Sequence, residues 1–180
     1  MTKDEIAKNL GLVPLEVEGG MYREVYRSAL MLDASSFPKS MKAAGYGAST
    51  SIYYLLGAAD VSSMHSVSCD ETWHFYAASD SGFFIRLIAV SPEGIGQIVE
   101  LGARLELGQR PQFTVPAGWA MGGRIASVSG CGKYPEQVGA WILAGATVAP
   151  SFEFADFKKE NAADIAKICP KYADYIKSLG

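Results

Sequence analysis

Histidine is almost missing from this sequence. The 180 residues hold two, His65 and His74, so any metal centre would have to be completed by carboxylates or thiols. Thiols offer little. Cys69, Cys131 and Cys169 are odd in number, widely spaced and form no CxxC pair. That fits reduced thiols, buried as small hydrophobes, better than a disulfide framework. Positive charge is also scarce: 16 Lys and Arg against 19 Asp and Glu give a net charge of −3. With no cationic run, the chain has no footprint for nucleic acid or an anionic membrane surface. No segment approaches the roughly 20 apolar residues of a membrane-spanning helix. The stretch MTKDEIAKNLGL carries charges where a signal peptide needs an apolar region, so a cytoplasmic location is expected. None of the 19 glycines falls into GxGxxG or a P-loop.

What is present is β-structure. Hydrophobic residues make up 49% and charged residues 19%, enough apolar material for one packed domain spanning 1–180. Thr2 and Glu5 form a capping box ahead of Ile6, Ala7 and Leu10, and Gly11 ends the pattern, predicting a helix over about 2–10. Glu18-Gly19-Gly20 reads as a turn into an alternating strand, MYREVYRS. Residues 29–48, rich in Ser, Ala, Gly and Pro, read as an exposed connection. From about 48 to 149, STSIYYLLG, SSMHSV, ETWHFYAA, GFFIRLIAV, IGQIVELG, PQFTVPAG and GAWILAGATVA are short runs of β-formers parted by turn residues. At the other end Asn161 caps AADIAKIC and Pro170 opens a second helix, so helical structure is expected over about 161–179. The fold class is all-β, a barrel or jelly roll with short helical ends.

Both histidines lie in one stretch, MHSVSCDETWHFY, residues 64–76. His65 and Glu71 sit on either side of the turn-like SVSCD, so two neighbouring strands can aim them at one point. His74 lies three residues beyond Glu71, which puts it on the opposite face of a regular strand. It joins Glu71 only if a β-bulge intervenes, and a two-histidine, one-carboxylate triad depends on that condition. Asp70 points away from Glu71 by the same parity.

At these residues the sequence resembles the cupin superfamily. Its first motif has two histidines two residues apart and then a glutamate; its second is a P-x-G turn followed by a last histidine. His65 takes the first histidine position and Glu71 that of the glutamate. Val67 stands at the second histidine. In PAGWAM, residues 116–121, Met121 stands at the last. Two of the four metal ligands that the resemblance implies are absent, so no cofactor is expected and divalent metal would bind weakly at most. The blocks EGGMYREVYRS, TSIYYLL, H-x-V-x-x-DE-x-WHFY, PQFTVPAG and GATVAPSFEFADF, with CPKYADYIKSL at the end, resemble cupin family 5, a domain of unknown function. Ser66 stands where that family commonly has an arginine, which removes a cation from the pocket region and weakens an anionic-ligand reading. Ser151 stands where glycine is common, and WAM after PAG is unusual. The resemblance implies a double-stranded β-helix, dimerisation and a small-molecule cavity, but no reaction.

His65 and Glu71 are therefore the candidate acid–base pair, with His65 as base. Tyr22 and Glu24 share parity and either line the same cavity or belong to a solvated edge strand. Trp73 shares the parity of Glu71 and forms a pocket wall or plain core. His74 is the spare histidine. Arg86, the sole charge in GFFIRLIAV, needs a carboxylate or water. Gln112, before the P-x-G turn, hydrogen-bonds a ligand or caps the turn. Two function classes stand first: a metal-independent isomerase- or epimerase-like enzyme acting on a sugar or other polar metabolite, and a non-catalytic binding module. A metal-dependent enzyme ranks third. The expected partner is a small polar metabolite, and a homodimer is expected because the aromatic N-terminal strand needs a cover.

Overall fold

The structure, a computed structural model, describes residues 1–33, 35, 37–38, 41–128 and 139–180. Cys131 lies outside the described residues. Helix α1 (Lys3–Leu10) has the expected reciprocal Thr2–Glu5 capping box, and Gly11 closes it in the left-handed conformation at φ 63°. Its buried Ile6 and Ala7 pack on Leu55 and Trp141. Strands follow in the order β1 (Val13–Pro14), β2 (Met21–Arg27), β3 (Met31–Leu32), β4 (Tyr46–Gly47), β5 (Thr50–Gly57), β6 (Val61–Ser66) and β7 (Asp70–Ala78). They continue as β8 (Phe83–Val90), β9 (Gly96–Leu101), β10 (Gln112–Val115), β11 (Ala120–Ser127), β12 (Trp141–Ala149) and β13 (Lys158–Lys159).

Two antiparallel sheets face each other. One runs β1-β2-β5-β12-β7-β10 and the other β13-β6-β11-β8-β9, while β3 and β4 form a separate pair. The arrangement is a jelly roll. Its core lies between the inner faces, where Tyr54, Trp73, Ile85, Leu87, Val115 and Met121 meet. A second apolar layer covers the back of the five-stranded sheet. There α2 (Ala162–Ile168) and α3 (Ala173–Lys177) bury Ala166 and Ile176 on Met64, Ile88 and Val90. Asn161 caps α2 as expected. Pro170 opens a 3₁₀ turn, and α3 starts only at Ala173. Cys69 and Cys169 are free and buried. No helix among the described residues is long and apolar enough to cross a membrane.

The two-residue strands β1, β3, β4 and β13 escaped the sequence reading, and the stretch 29–48, read as an exposed connection, holds the β3–β4 pair with Tyr46 buried. The long strand that escaped it is β11. AMGGRIAS carries a Gly-Gly pair that reads as a breaker, yet β11 is central to its sheet, paired with both β6 and β8. The glycines are there because neighbours leave no room. A Cβ on Gly122 would lie 2.9 Å from the Met64 sulfur and 2.9 Å from the Ser62 carbonyl oxygen, and one on Gly123 would lie 2.9 Å from the Arg86 carbonyl oxygen. Close approach of backbones, not chain reversal, selects glycine at both positions.

Candidate functional site

A cavity of about 310 Å³ opens over the inner face of the six-stranded sheet, within the size range of small-molecule sites. Strand β2 contributes Tyr22, Glu24 and Arg27, β5 Ile52, β7 Glu71 and β12 Val148. The loop after β1 adds Glu18, and the segment after β12 closes the space with Phe152, Phe154 and Phe157. That segment is anchored at Asp156, which is buried and accepts from the Tyr46 hydroxyl at 2.6 Å and the Lys42 amide at 2.7 Å.

Glu71 is the unusual group on this wall. It is 7% exposed, and no hydrogen bond from a described residue reaches its carboxyl. Burial, reinforced by the Glu18 charge and opposed by His65, pushes its pKa up from 4.5 to about 7. His65, 1% exposed, comes from the opposite sheet and stacks on Phe157 at 5.4 Å between centroids. Its Nδ1 lies 2.7 Å from the Ser63 carbonyl oxygen. A carbonyl only accepts, so Nδ1 carries the hydrogen and Nε2 is left to titrate. Nε2 faces the Glu18 carboxylate at 3.9 Å. Burial lowers the His65 pKa, but Glu18, Glu71, the Ser63 carbonyl and Glu160 outweigh it, and the net shift is upward.

Glu18 was missed in the sequence, where it read only as the first residue of a turn. The signal was the pair that follows it. Gly19 and Gly20 have φ of 111° and 70°, and a Cβ on Gly19 would sit 2.2 Å from the Val61 carbonyl oxygen. Only glycine lets this loop press against β6. There Glu18 accepts a 2.6 Å hydrogen bond from the Ser62 hydroxyl and meets His65. Arg27 and Phe157 were missed as well. Phe157 immediately precedes β13, the short strand that pairs Lys159 with His65.

The other sequence candidates divide by face. Tyr22, Glu24 and Glu71 share the cavity. His65 does not line it; Glu18 and Phe157, which contact the imidazole, form the wall there. Trp73 is buried core, its indole N–H donating to the Met121 sulfur at 3.4 Å and its ring edge-on to Tyr54. His74 is on the outer face, with Nε2 3.0 Å from the Thr147 hydroxyl and its ring stacked on Tyr76. Strand β7 does contain a bulge, but at Tyr76, where Leu143 pairs with Ala77 and Ala144 with Phe75. It falls beyond His74 and leaves Glu71 and His74 on opposite faces. Gln112 pairs with His74 in the ladder and is exposed. Arg86 is on the back of its sheet, where its guanidinium lies 5.5 Å from the Tyr175 ring centroid and the Tyr175 hydroxyl donates to its carbonyl. Its β-run is apolar on both faces, so alternation gave no direction for the side chain.

The jelly roll, the inward His65 and Glu71, and the P-x-G turn between β10 and β11 agree with a family model, Cupin_5, described as Cupin superfamily (DUF985), that matches residues 4–160. The chain belongs to this cupin family. Two solved structures are similar over its whole length. A hypothetical protein from Leishmania major has 28% identity and a TM-score of 0.78, covering 100% of this chain and 99% of its own. A crystal structure of a protein from Shewanella oneidensis has 30% identity and a TM-score of 0.76, covering 100% and 98%. No curated protein matches.

The cupin fold raises the question of a metal. At the positions corresponding to the family's second and last histidines, Val67 and Met121 are buried in the inner core, and the Met121 sulfur already accepts from Trp73. Among the described residues no group of three or more His, Cys, Asp or Glu is placed to hold an ion. The donor set does not fit a tightly held transition metal.

Proposed function

We propose that this cupin binds a small polar metabolite in the cavity and moves a proton on it, as in isomerisation or epimerisation next to a carbonyl. The observation that carries this reading is Glu71, a buried carboxyl without a hydrogen-bond partner among the described residues, on the wall of a cavity of suitable size. With a pKa of about 7, it can take a proton from carbon and return it at neutral pH. Glu18 accepts hydrogen bonds from substrate polar groups. His65 stands behind Glu18, its Nε2 3.9 Å from that carboxylate and outside the cavity lining, so it is a positioning residue and Glu71 is the base. The roles first read from the sequence are thereby exchanged.

The test is deuterium uptake from D₂O into a panel of aldoses, ketoses and amino-carbonyl compounds, followed by proton NMR. We expect uptake at a carbon next to a carbonyl, reduced about 10²- to 10⁴-fold in Glu71→Gln and retained in Asp70→Asn, whose side chain lies on the outer face. Binding without uptake would make the protein a ligand-binding module, and equal uptake in both variants would place the base elsewhere.

A homodimer is proposed alongside, because Val13, Val25 and Tyr26 at the β1–β2 edge are exposed large apolar side chains. Light scattering at micromolar concentration should give twice the chain mass, and a monomer would count against it.

A further inference from the structure

We infer that the cavity is built for a metabolite bearing a protonated amine beside an apolar chain or ring, and that it rejects carboxylates and phosphates. This rests on the reading of the cavity as the ligand site and names the class of ligand. Three carboxylates, Glu18, Glu24 and Glu71, line the space against a single cationic side chain, Arg27. That guanidinium is already spent. Nε and Nη2 donate to the two oxygens of Glu24 at 3.0 and 2.9 Å, Nη1 to Glu153 at 2.5 Å, and Nη2 again to the Phe152 carbonyl at 3.1 Å. Four of its five N–H groups are thereby occupied by the protein.

The other nearby nitrogen base fares no better. His65 lies behind Glu18, with Nδ1 committed to the Ser63 carbonyl and Nε2 turned to the Glu18 carboxylate. An anion entering the cavity would meet two carboxylates and find only the neutral hydroxyl donors of Tyr22 and Thr50, which leaves its charge uncompensated. An ammonium finds the reverse. Glu71, more than nine-tenths buried, has acceptor capacity that no described residue uses, and the Oε2 of Glu18 lies 3.9 Å from His65 Nε2, beyond hydrogen-bond distance of it. Charge-assisted hydrogen bonds in such surroundings are the strong ones. The remaining wall, with Ile52, Val148, Phe152 and Phe157, suits an apolar body, and the aromatic faces favour a cation further.

Three probes of one shape separate the alternatives: benzylamine, benzyl alcohol and benzoate, each titrated into the intact protein at pH 7.5 and followed by calorimetry and amide chemical shifts. Benzylamine should bind at least about tenfold more tightly than either of the others, the scale of one charge-assisted hydrogen bond. Glu18→Gln, which keeps an acceptor for Ser62, and Glu71→Gln should each weaken benzylamine about tenfold while changing benzyl alcohol less than about twofold. Benzoate binding as tightly as benzylamine, or an amine preference that survives both substitutions, overturns the inference. Benzyl alcohol shifting cavity amides with no preference among the three also overturns it and leaves the cavity standing as a ligand site. If no probe binds, the amine inference fails, and the deuterium-uptake test decides the cavity reading separately.

Discussion

Glutamine in place of Glu71 should make the protein more stable by about 3 kcal/mol at pH 8.5 and change stability by less than about 1 kcal/mol at pH 5. Burial raises the folded-state pKa of this carboxyl from 4.5 to about 7, so the folded protein holds the proton more tightly than the unfolded chain does. The contribution is fully present below pH 4.5. It is lost as pH rises towards 7, where the folded form must ionise a carboxyl that has no hydrogen-bond donor among the described residues. Glutamine has the same shape and nothing to ionise, so its stability should lack this decline. His65 is also shifted upward, and its contribution likewise fades as pH rises through its folded value. The difference between variant and wild type at two pH values is therefore the informative quantity, measured by urea denaturation. A Glu71→Gln protein less stable than wild type at pH 8.5 would show that the carboxylate is satisfied in a way the geometry does not contain. Stability gained together with activity lost is what a site residue retained for its chemistry predicts.

The second large effect is a gain of metal binding. Val67 and Met121 both face the inner core, and Met121 is the ladder partner of His65. Replacing both with histidine restores the four-ligand set of His65, Glu71 and two further imidazoles implied by the cupin motif. Wild type should retain far less than one transition metal per chain after extensive dialysis, whereas the double variant should approach one. Without metal, the double variant should be destabilised by roughly 3 kcal/mol, because two polar rings replace packed apolar groups. Zinc or manganese at one hundred times its dissociation constant should return about 2.7 kcal/mol. Elemental analysis and thermal unfolding with and without added metal check both parts. Close to one metal per chain in wild type would contradict the donor-set argument. So would a double variant that takes up none.

The sequence makes the barrel and half of the site legible, for a physical reason. Side chains alternate along β7 from Asp70 to Phe75, so Glu71 and Trp73 could be placed inward and His74 outward from the sequence, whereas β6 shifts register against β11 between Ser62 and His65. The decisive bulge could not be located, because the extra residue at Tyr76 follows from the register with β12, a strand about 70 positions further on. Glu18 is invisible to periodicity, since its position depends on a loop whose only trace is Gly19-Gly20. Arg86 and β11 illustrate the same limit. An all-apolar run carries no facing information, and paired glycines signify close packing or a turn with equal force until the neighbouring strand is known. Gln112 follows from register: Val115 stands opposite Glu71 in the ladder, which turns Gln112 outward with His74.

Proton transfer and amine binding both depend on the Glu71 carboxyl, and its titration is their most direct test. Protein labelled with ¹³C at the glutamate side-chain carboxyl, with the Glu71 resonance assigned by its loss in Glu71→Gln, should show that carbon titrating near pH 7 in the ligand-free protein. Benzylamine should lower the midpoint, because an ammonium beside the carboxyl favours the ionised form. A Glu71 midpoint near 4.5, unmoved by benzylamine, would mean a hydrated surface carboxylate, and neither the proton-transfer reading nor the amine-binding cavity would survive it.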